Sequence, residues 1–361
     1  MTVLSNILNV VITLLVFFTI ILIHEFGHFF TAKMFGMKIY EFSIGMGPRL
    51  FSKKTKTTTW SFKLLPIGGA VQLGEDFESE DPDDFRNKPV WQRMIVIVAG
   101  AVMNLILGFI VCVVSVCASD KIATTKVSYF SEDAVSSQVM QIGDEIVGMN
   151  GMAIWTTTDI SYCLQNKVAK HDYDVKKPYV YYDMTVIRNG ERIMLSVPFE
   201  WLEESTDTDS AGIKVDFKVY PQDKDFFTVT AAAGKTFLTE ARLIWISLID
   251  LLTGTYGLND LSGPIGVVST MATALDQSIK IMSFSSFLML VALITINLGI
   301  FNLLPIPALD GARFLFLLIE AIRRKPIPAE KEGWVHFIGF AALMLLMVII
   351  TFNDVVKLFS Q

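Results

Sequence analysis

The chain has 361 residues, of which 52% are hydrophobic and 18% charged, and its mean hydropathy is +0.49. This balance is unusual for a soluble globular protein and typical of membrane proteins. The net charge of −6 gives no reason to expect nucleic-acid binding, which favours clustered basic patches. The three cysteines show no CxxC spacing, which argues against a disulfide framework or a cysteine zinc site.

Four apolar runs without charged residues cover 2–23, 94–119, 281–309 and 333–353. About 20 apolar residues cross a bilayer as a helix, so each run is long enough to span. The first run could instead be a signal peptide, but it lacks a basic n-region and a small-residue cleavage site. We therefore predict a polytopic α-helical membrane protein with four transmembrane helices.

Lysine and arginine counts predict the orientation. Segment 31–93 carries ten and segment 310–333 carries five, whereas the N-terminal flank has none and the C-terminal tail only Lys357. The positive-inside rule therefore puts both basic segments in the cytosol. Both termini and the large acidic segment 120–280 then lie outside.

The segment between the second and third runs predicts an inserted extracytoplasmic domain. Residues 121–220 read as a small β-rich domain, with turn cues at Asn150-Gly151 and at Arg188-Asn189-Gly190. Residues 236–252 carry a helical apolar stripe mixed with charged residues. This stripe predicts either a helix lying on the membrane surface or a helix packed on the soluble domain.

The first run ends at His24-Glu25-Phe26-Gly27-His28. Two histidines four apart on a helix share one face and can bind one Zn²⁺, while Glu25 can act as general base on water. Ionisable side chains at membrane depth are costly and are functional candidates by default. The alternative is that both histidines only cap the cytosolic end of the span, where Trp, Tyr, Lys and Arg are the preferred residues.

A catalytic zinc site needs a third protein ligand. His171 and His336 are not at convincing places, but Asp310 follows the third run directly. Spans one and three run in the same direction in the predicted topology, so Asp310 arrives at a depth similar to that of His24 and His28. The alternative is a carboxylate at a helix terminus or interface.

Two prolines precede the aspartate. Pro305 and Pro307 remove backbone donors and predict a helix break before Asp310. Broken helices at membrane depth are tolerated where they are buried in protein or line a water-filled cavity, which a hydrolytic site needs. Asn302, just before the break, could bind an unwound substrate backbone or satisfy carbonyl groups of its own helix.

These residues resemble the site-2 protease family of intramembrane zinc metalloproteases, and more narrowly the bacterial regulator-of-sigma-E protease branch. The HExGH motif of the family matches His24–His28, and its NxxPxPxLDG motif matches Asn302–Gly311. Further similar segments are Phe42–Pro48, Leu65–Val71, which resembles the membrane-reentrant β-hairpin of the family, and Gly263–Gly266.

The resemblance implies that His24, His28 and Asp310 bind Zn²⁺ and that Glu25 is the catalytic base. It implies that residues 121–220 form a circularly permuted PDZ domain. Implied substrates are membrane proteins with one transmembrane helix, such as anti-sigma factors already clipped outside, or signal-peptide remnants. The implied setting is regulated intramembrane proteolysis in the bacterial cytoplasmic membrane, with the active site toward the cytosol and the PDZ-like domain outside.

Two positions depart from the family pattern. Ala312 stands where the family usually has a second glycine after the LDG motif, and we expect no effect on metal binding. The loop with which a PDZ domain grips a substrate C-terminus is not recognisable in Ser131–Gln141.

The expected domain organisation follows the motifs. Residues 1–120 and 281–361 form the two halves of the membrane protease core, residues 121–220 the PDZ-like domain, and residues 221–280 an interfacial helical linker.

Residues 64–73 are apolar, contain glycine and favour a β-strand. We expect Gly68 and Gly69 to supply a tight turn, and the free edge at Val71 to pair with an unwound substrate opposite Asn302. The alternative is an ordinary cytosolic hairpin that covers a hydrophobic patch.

Two other functions fit parts of the pattern. A zinc transporter would use histidines and an aspartate within spans, but it would more often show an internal repeat of spans, which this sequence lacks. A catalytically silent scaffold would be expected to have lost part of the HExxH or LDG motif, and both are intact.

Overall fold

The computed structural model describes residues 3–55, 57–74, 81–169, 178–201, 212–254 and 263–360. Within these ranges, four helices are long and apolar enough to cross a membrane: Ile7–Met34, Val90–Ala118, Ser285–Asn302 and Glu330–Val356. They correspond to the four apolar runs of the sequence.

The described residues form eight α-helices and eight strands. The helices are α1 (Val3–Met34), α2 (Val90–Ala118), α3 (Thr157–Ala169), α4 (Phe226–Leu252), α5 (Pro264–Lys280), α6 (Ser285–Asn302), α7 (Asp310–Arg323) and α8 (Ala329–Ser360). The strands are β1 (Glu41–Lys54), β2 (Thr59–Gln72), β3 (Ile122–Phe130), β4 (Glu145–Met149), β5 (Met152–Ala153), β6 (Tyr179–Arg188), β7 (Glu191–Glu200) and β8 (Phe217–Gln222).

The chain divides into two compact units. The first, Met1–Ser115 with Tyr256–Gln361, holds α1, α2, α5 to α8 and the sheet of β1 and β2. In it, α5 packs against α1, α6 and α8, and β2 packs against α1. The second unit is Val116–Thr255.

Strands β1 and β2 both bend, and the first half of β1 lies between the two halves of β2. Residues 41–44 pair with 59–62 in the same direction and with 69–72 in the opposite direction. Residues 49–54 pair with the other side of 59–63. In the part of the chain that the structure describes, 69–72 therefore pair on one side only and form an edge of the sheet. The sequence pattern indicates a hairpin here but not this strand order.

The buried carboxylate of Glu41 holds the middle of this sheet together. It accepts hydrogen bonds from Ser61 and from the guanidinium of Arg49, and Lys63 Nζ lies 3.9 Å from Oε1. A charge as buried as Glu41, which is 2% exposed, is stable only when it is paired in this way.

The predicted break before Asp310 is present. Helix α6 ends at Asn302 and α7 begins at Asp310, with both prolines in the connection. Pro305 and Pro307 cannot donate a backbone hydrogen bond, so the helix does not continue through them. Helix α1, in contrast, runs past its apolar run to Met34, so that His24 and His28 both lie on a helix as predicted.

The second unit is built on an antiparallel sheet with the strand order β7-β6-β4-β3-β8, and β5 pairs with β4. The turns at Asn150-Gly151 and Asn189-Gly190 connect β4 to β5 and β6 to β7. All four turn residues have positive φ, between 47° and 87°, as two-residue hairpins of this kind require. Both turn predictions are confirmed.

Asp144 is buried at the end of β4, and its partner is the β6 residue Arg188, whose Nε and Nη2 lie 2.8 and 2.7 Å from the two carboxylate oxygens. Burial alone would raise the pKa of Asp144, but the bonds from Arg188 and from the Gln141 N–H hold that pKa below its usual value. The ion pair therefore fixes the β6–β7 hairpin to β4.

Helix α4 begins at Phe226, ten residues before the predicted stripe, because Asp225 and Thr228 form a capping box. Within the second unit, the α4 residue Arg242 stacks its guanidinium 4.0 Å from the Trp155 ring and donates to Asp159 of α3. Leu238, Trp245 and Ile249, which neighbour Arg242 along the helix, are exposed, as is Leu252. The interpretation of the stripe as a membrane-surface helix stays a prediction.

Candidate metal centre

His24 and His28 lie one turn apart on α1 and point the same way. Both are buried, at 7% and 8% exposure, and their Nε2 atoms are 3.2 Å apart. The helical spacing thus places both imidazoles together, as the motif predicts.

Asp310, the first residue of α7, completes the cluster. Its Oδ2 lies 3.0 Å from His24 Nε2 and 3.4 Å from His28 Nε2. One ligand atom from each residue falls within 4.8 Å of the others. The prediction that Asp310 reaches the depth of the histidines therefore agrees with the geometry.

The donor set fits a zinc ion. Donor atoms about 2.0–2.1 Å from a tetrahedral zinc lie about 3.3 Å apart, and the three distances here are 3.0, 3.2 and 3.4 Å. Asp310 Oδ2 is buried, and neither of its close contacts has hydrogen-bond geometry. A buried carboxylate oxygen that faces two imidazole nitrogens is an arrangement that a cation stabilises. His24, His28 and Asp310 could therefore hold one Zn²⁺.

Each imidazole is oriented by a group on α2. His28 Nδ1–H donates to the Val96 carbonyl at 2.8 Å, which leaves Nε2 free of a proton for a metal. His24 Nδ1 lies 3.4 Å from the amide nitrogen of Asn104, while the amide oxygen of this buried residue has no hydrogen-bond partner. Turning the amide over would let Oδ1 accept the His24 Nδ1–H, which would leave both imidazoles in the same tautomer.

Asn104 was missed by sequence analysis. The available signal was an amide side chain within the charge-free run 94–119, where a polar group needs a partner. Its contact with His24 spans 80 positions, and no local pattern predicts such a pairing.

Glu25 follows His24 and faces the sheet edge. A Cβ on Gly69 would lie 2.8 Å from Glu25 Cγ and 3.6 Å from Glu25 Cδ. Glu25, the three candidate ligands and residues 69–74 line one cavity of about 480 Å³. The candidate base and the edge strand thus face the same space.

The remaining predicted residues lie at different places. Gly68 has φ +82° and sits at an irregularity of β2, next to Gly69. Val71 pairs with Phe42 of β1. Asn302 ends α6, and its Nδ2 lies 3.5 Å from His24 Nδ1. Asn302 is therefore beside His24, as Asn104 is, and its contact with a substrate backbone stays a prediction.

A buried ion pair fixes the helix that carries Asp310. The α2 residue Arg93 donates from both terminal nitrogens to the α7 residue Glu320, at 3.2 and 2.5 Å. Such two-point pairing fixes orientation as well as distance. It holds α7 against α2, the helix that orients the histidines.

A family model described as peptidase family M50 matches residues 12–346. The chain belongs to peptidase family M50. The regulator of sigma-W protease RasP of Bacillus subtilis is 30% identical, and the match covers 97% of this chain and 99% of that protein. The zinc metalloprotease RasP of Bacillus licheniformis is 31% identical over the same shares, and that of Shouchella clausii is 29% identical over 96% and 98%.

Membership in family M50 confirms the resemblance to the site-2 proteases and the predicted enzyme class. The protein is a zinc metalloendopeptidase, its cofactor is Zn²⁺, and it is an integral membrane protein with bacterial relatives. Neither the transporter nor the silent scaffold agrees with this membership.

Proposed function

We propose that this M50 protein cuts peptide bonds in or near transmembrane segments, with His24, His28 and Asp310 as zinc ligands and Glu25 as general base. The observation that carries the proposal is the meeting of three metal donors with Glu25 and an open strand edge in one cavity. A metalloprotease needs these parts together: a metal, a base beside it, and a place for an extended backbone.

Each side chain has a distinct task. When bound, zinc supplies a Lewis acid that lowers the pKa of water and polarises a carbonyl. His28 and His24 present Nε2 because their Nδ1 atoms face Val96 and Asn104. The Glu25 carboxylate accepts the proton of the attacking water and then delivers it to the leaving amine.

The substrate is an extended segment of a membrane protein with one transmembrane helix. A helix shields its own carbonyls, so it must unwind before cleavage. The edge at residues 69–72 offers strand pairing to the unwound segment, with Gly68 and Gly69 shaping the strand and Asn302 at the far side of His24. The sigma-W regulator role named for the Bacillus subtilis relative supports anti-sigma-factor-like substrates. Signal-peptide remnants are a second class of substrate, because they too are single membrane-spanning segments.

The protein acts in the cytoplasmic membrane of a bacterium. Its active site faces the cytosol, and a PDZ-like domain at residues 121–220 lies outside and filters or binds substrates. Residues 1–120 and 281–361 form the protease core, linked through residues 221–280. The asymmetry of lysine and arginine supports this orientation.

Metal content tests the ligand set. The purified full-length protein should bind about one zinc, as one three-ligand site requires. His24→Ala and Asp310→Ala should lose it, because two ligands hold zinc poorly. Glu25→Gln should keep its zinc but lose cleavage of a single-span substrate in liposomes. Zinc retained in full by Asp310→Ala would remove this residue from the set, and cleavage by Glu25→Gln would remove the base.

A further inference from the structure

The connection between α6 and α7 holds one residue in an unusual conformation. Ala308, two residues before Asp310, has φ +77°, a region that a residue with a Cβ rarely adopts. Such a conformation persists only where surrounding contacts enforce it, and it is frequent at functional sites. Ala308 also lines the cavity that contains the three candidate ligands.

Two contacts come from α8, on one face of that helix. The Ala308 N–H donates to His336 Nδ1 at 3.0 Å. Three residues further along α8, Gly339 receives Pro307 so closely that a Cβ on Gly339 would lie 2.1 Å from the proline Cβ. Residues three apart on a helix are neighbours, so His336 and Gly339 form one contact surface on α8 for Pro307 and Ala308.

The His336 ring is held so that it can accept this bond. Its ring packs edge-on to Phe316 of α7, with centroids 5.7 Å apart, and its Nε2 lies 3.9 Å from Glu332 Oε1. An imidazole that accepts at Nδ1 carries its proton on Nε2, the nitrogen that faces the glutamate.

We propose that His336 is a positioning residue for Asp310. By binding the Ala308 N–H while Gly339 receives Pro307, it fixes the backbone that presents the Asp310 carboxylate to His24 and His28. The described close contacts of Asp310 Oδ2 are the two imidazole nitrogens that it faces, so the position from which it faces them is set by its backbone. The inference rests on the proposed function, in which Asp310 binds zinc.

The test uses substitutions at His336 that distinguish the role of the acceptor atom Nδ1 from the role of ring packing. Asparagine places Oδ1 near the position of Nδ1, whereas glutamine places its amide near Nε2, and leucine has no acceptor. In the full-length protein, His336→Asn should keep zinc affinity within about threefold of the parent. His336→Gln and His336→Leu should lose about 10- to 100-fold, the usual effect of losing a group that orients a metal ligand.

A substitution at Gly339 perturbs the same α6–α7 connection without changing His336. Gly339→Ala should push Pro307 away and lower zinc affinity to a similar extent. Gly333→Ala is the matched control on α8, because a Cβ there meets no atom within 4 Å, and it should change nothing. Hydrogen exchange of the peptide spanning 303–312 should be faster in His336→Gln, His336→Leu and Gly339→Ala.

Unchanged zinc affinity and exchange in both His336→Gln and His336→Leu would overturn the inference. An equal loss in His336→Asn would also overturn it, because ring packing on Phe316 rather than the acceptor would then matter. Should Asp310→Ala keep its zinc, the proposed ligand set fails, and the exchange of 303–312 alone decides whether His336 anchors the loop.

Discussion

Gly27 and Gly100 set how closely α1 and α2 approach each other at the histidines. A Cβ on Gly27 would lie 2.5 Å from the Ala99 carbonyl oxygen. A Cβ on Gly100 would lie 2.4 Å from His28 Nε2 and 2.8 Å from His24 Cε1. The glycine inside the HExGH motif is thus explained by helix packing, since no metal ligand is needed at that position.

Gly100→Ala should therefore damage the metal site without removing a ligand. The added methyl group occupies the space of the His28 ring, and displacing a reacting group by about 1 Å can cost on the order of 100-fold in rate. We expect reduced zinc content at limiting zinc and a comparable loss of cleavage. Gly234→Ala is the control, because this α4 glycine has no atom near its missing Cβ. Full zinc binding by Gly100→Ala would show that the rings can move aside.

At the scale of elements, local sequence patterns predicted the features that depend on residues close together in the sequence. The histidine pair follows from the 3.6-residue period of α1, and the break before Asp310 follows from two prolines. The order of strands in the β1–β2 sheet was not predicted, and α5 was predicted only as part of a helical linker over residues 221–280. Tertiary packing decides these features. It sets the bend of β1 between the two halves of β2, and it brings His336 and Asn104 to partners 28 and 80 positions away in the sequence.

The strand edge at 69–72 leads to a prediction about substrate contact. A photo-crosslinking residue at Gln72, which is exposed and lines the cavity, should capture a single-span substrate in the Glu25→Gln background. The same residue at Lys53 should not, because Lys53 is also exposed but lies on the opposite edge of the sheet. The crosslinked product is measured by its mass on a gel. Equal capture at both positions, or capture at Lys53 alone, would contradict strand pairing at this edge.

At the scale of the whole molecule, the spans expose apolar side chains outward. Exposed residues include Leu14, Leu15, Ile106, Ile110, Leu345 and Phe352. Surfaces of this kind are not stable in water but are the ordinary lipid-facing surface of a membrane protein. The second unit, in contrast, closes its own core around Tyr182, Met184 and Phe199, as a domain in water must. The chain thus has one part with a surface suited to lipid and one part with a core suited to water. Its orientation in the membrane decides on which side the second unit lies.

Orientation is tested with a reporter that is active only outside the cytosol. Fusions ending at residue 210 should be active, and fusions ending at residue 331 should be inactive, because segments 31–93 and 310–333 carry ten and five basic residues and such segments stay in the cytosol. A fusion ending at residue 57, within the first basic segment, is the inactive control. If residues 210 and 331 reported the same side, an even number of spans would separate them. Span three would then not run in the direction of span one, and His24 and Asp310 could not reach the same depth from parallel helices.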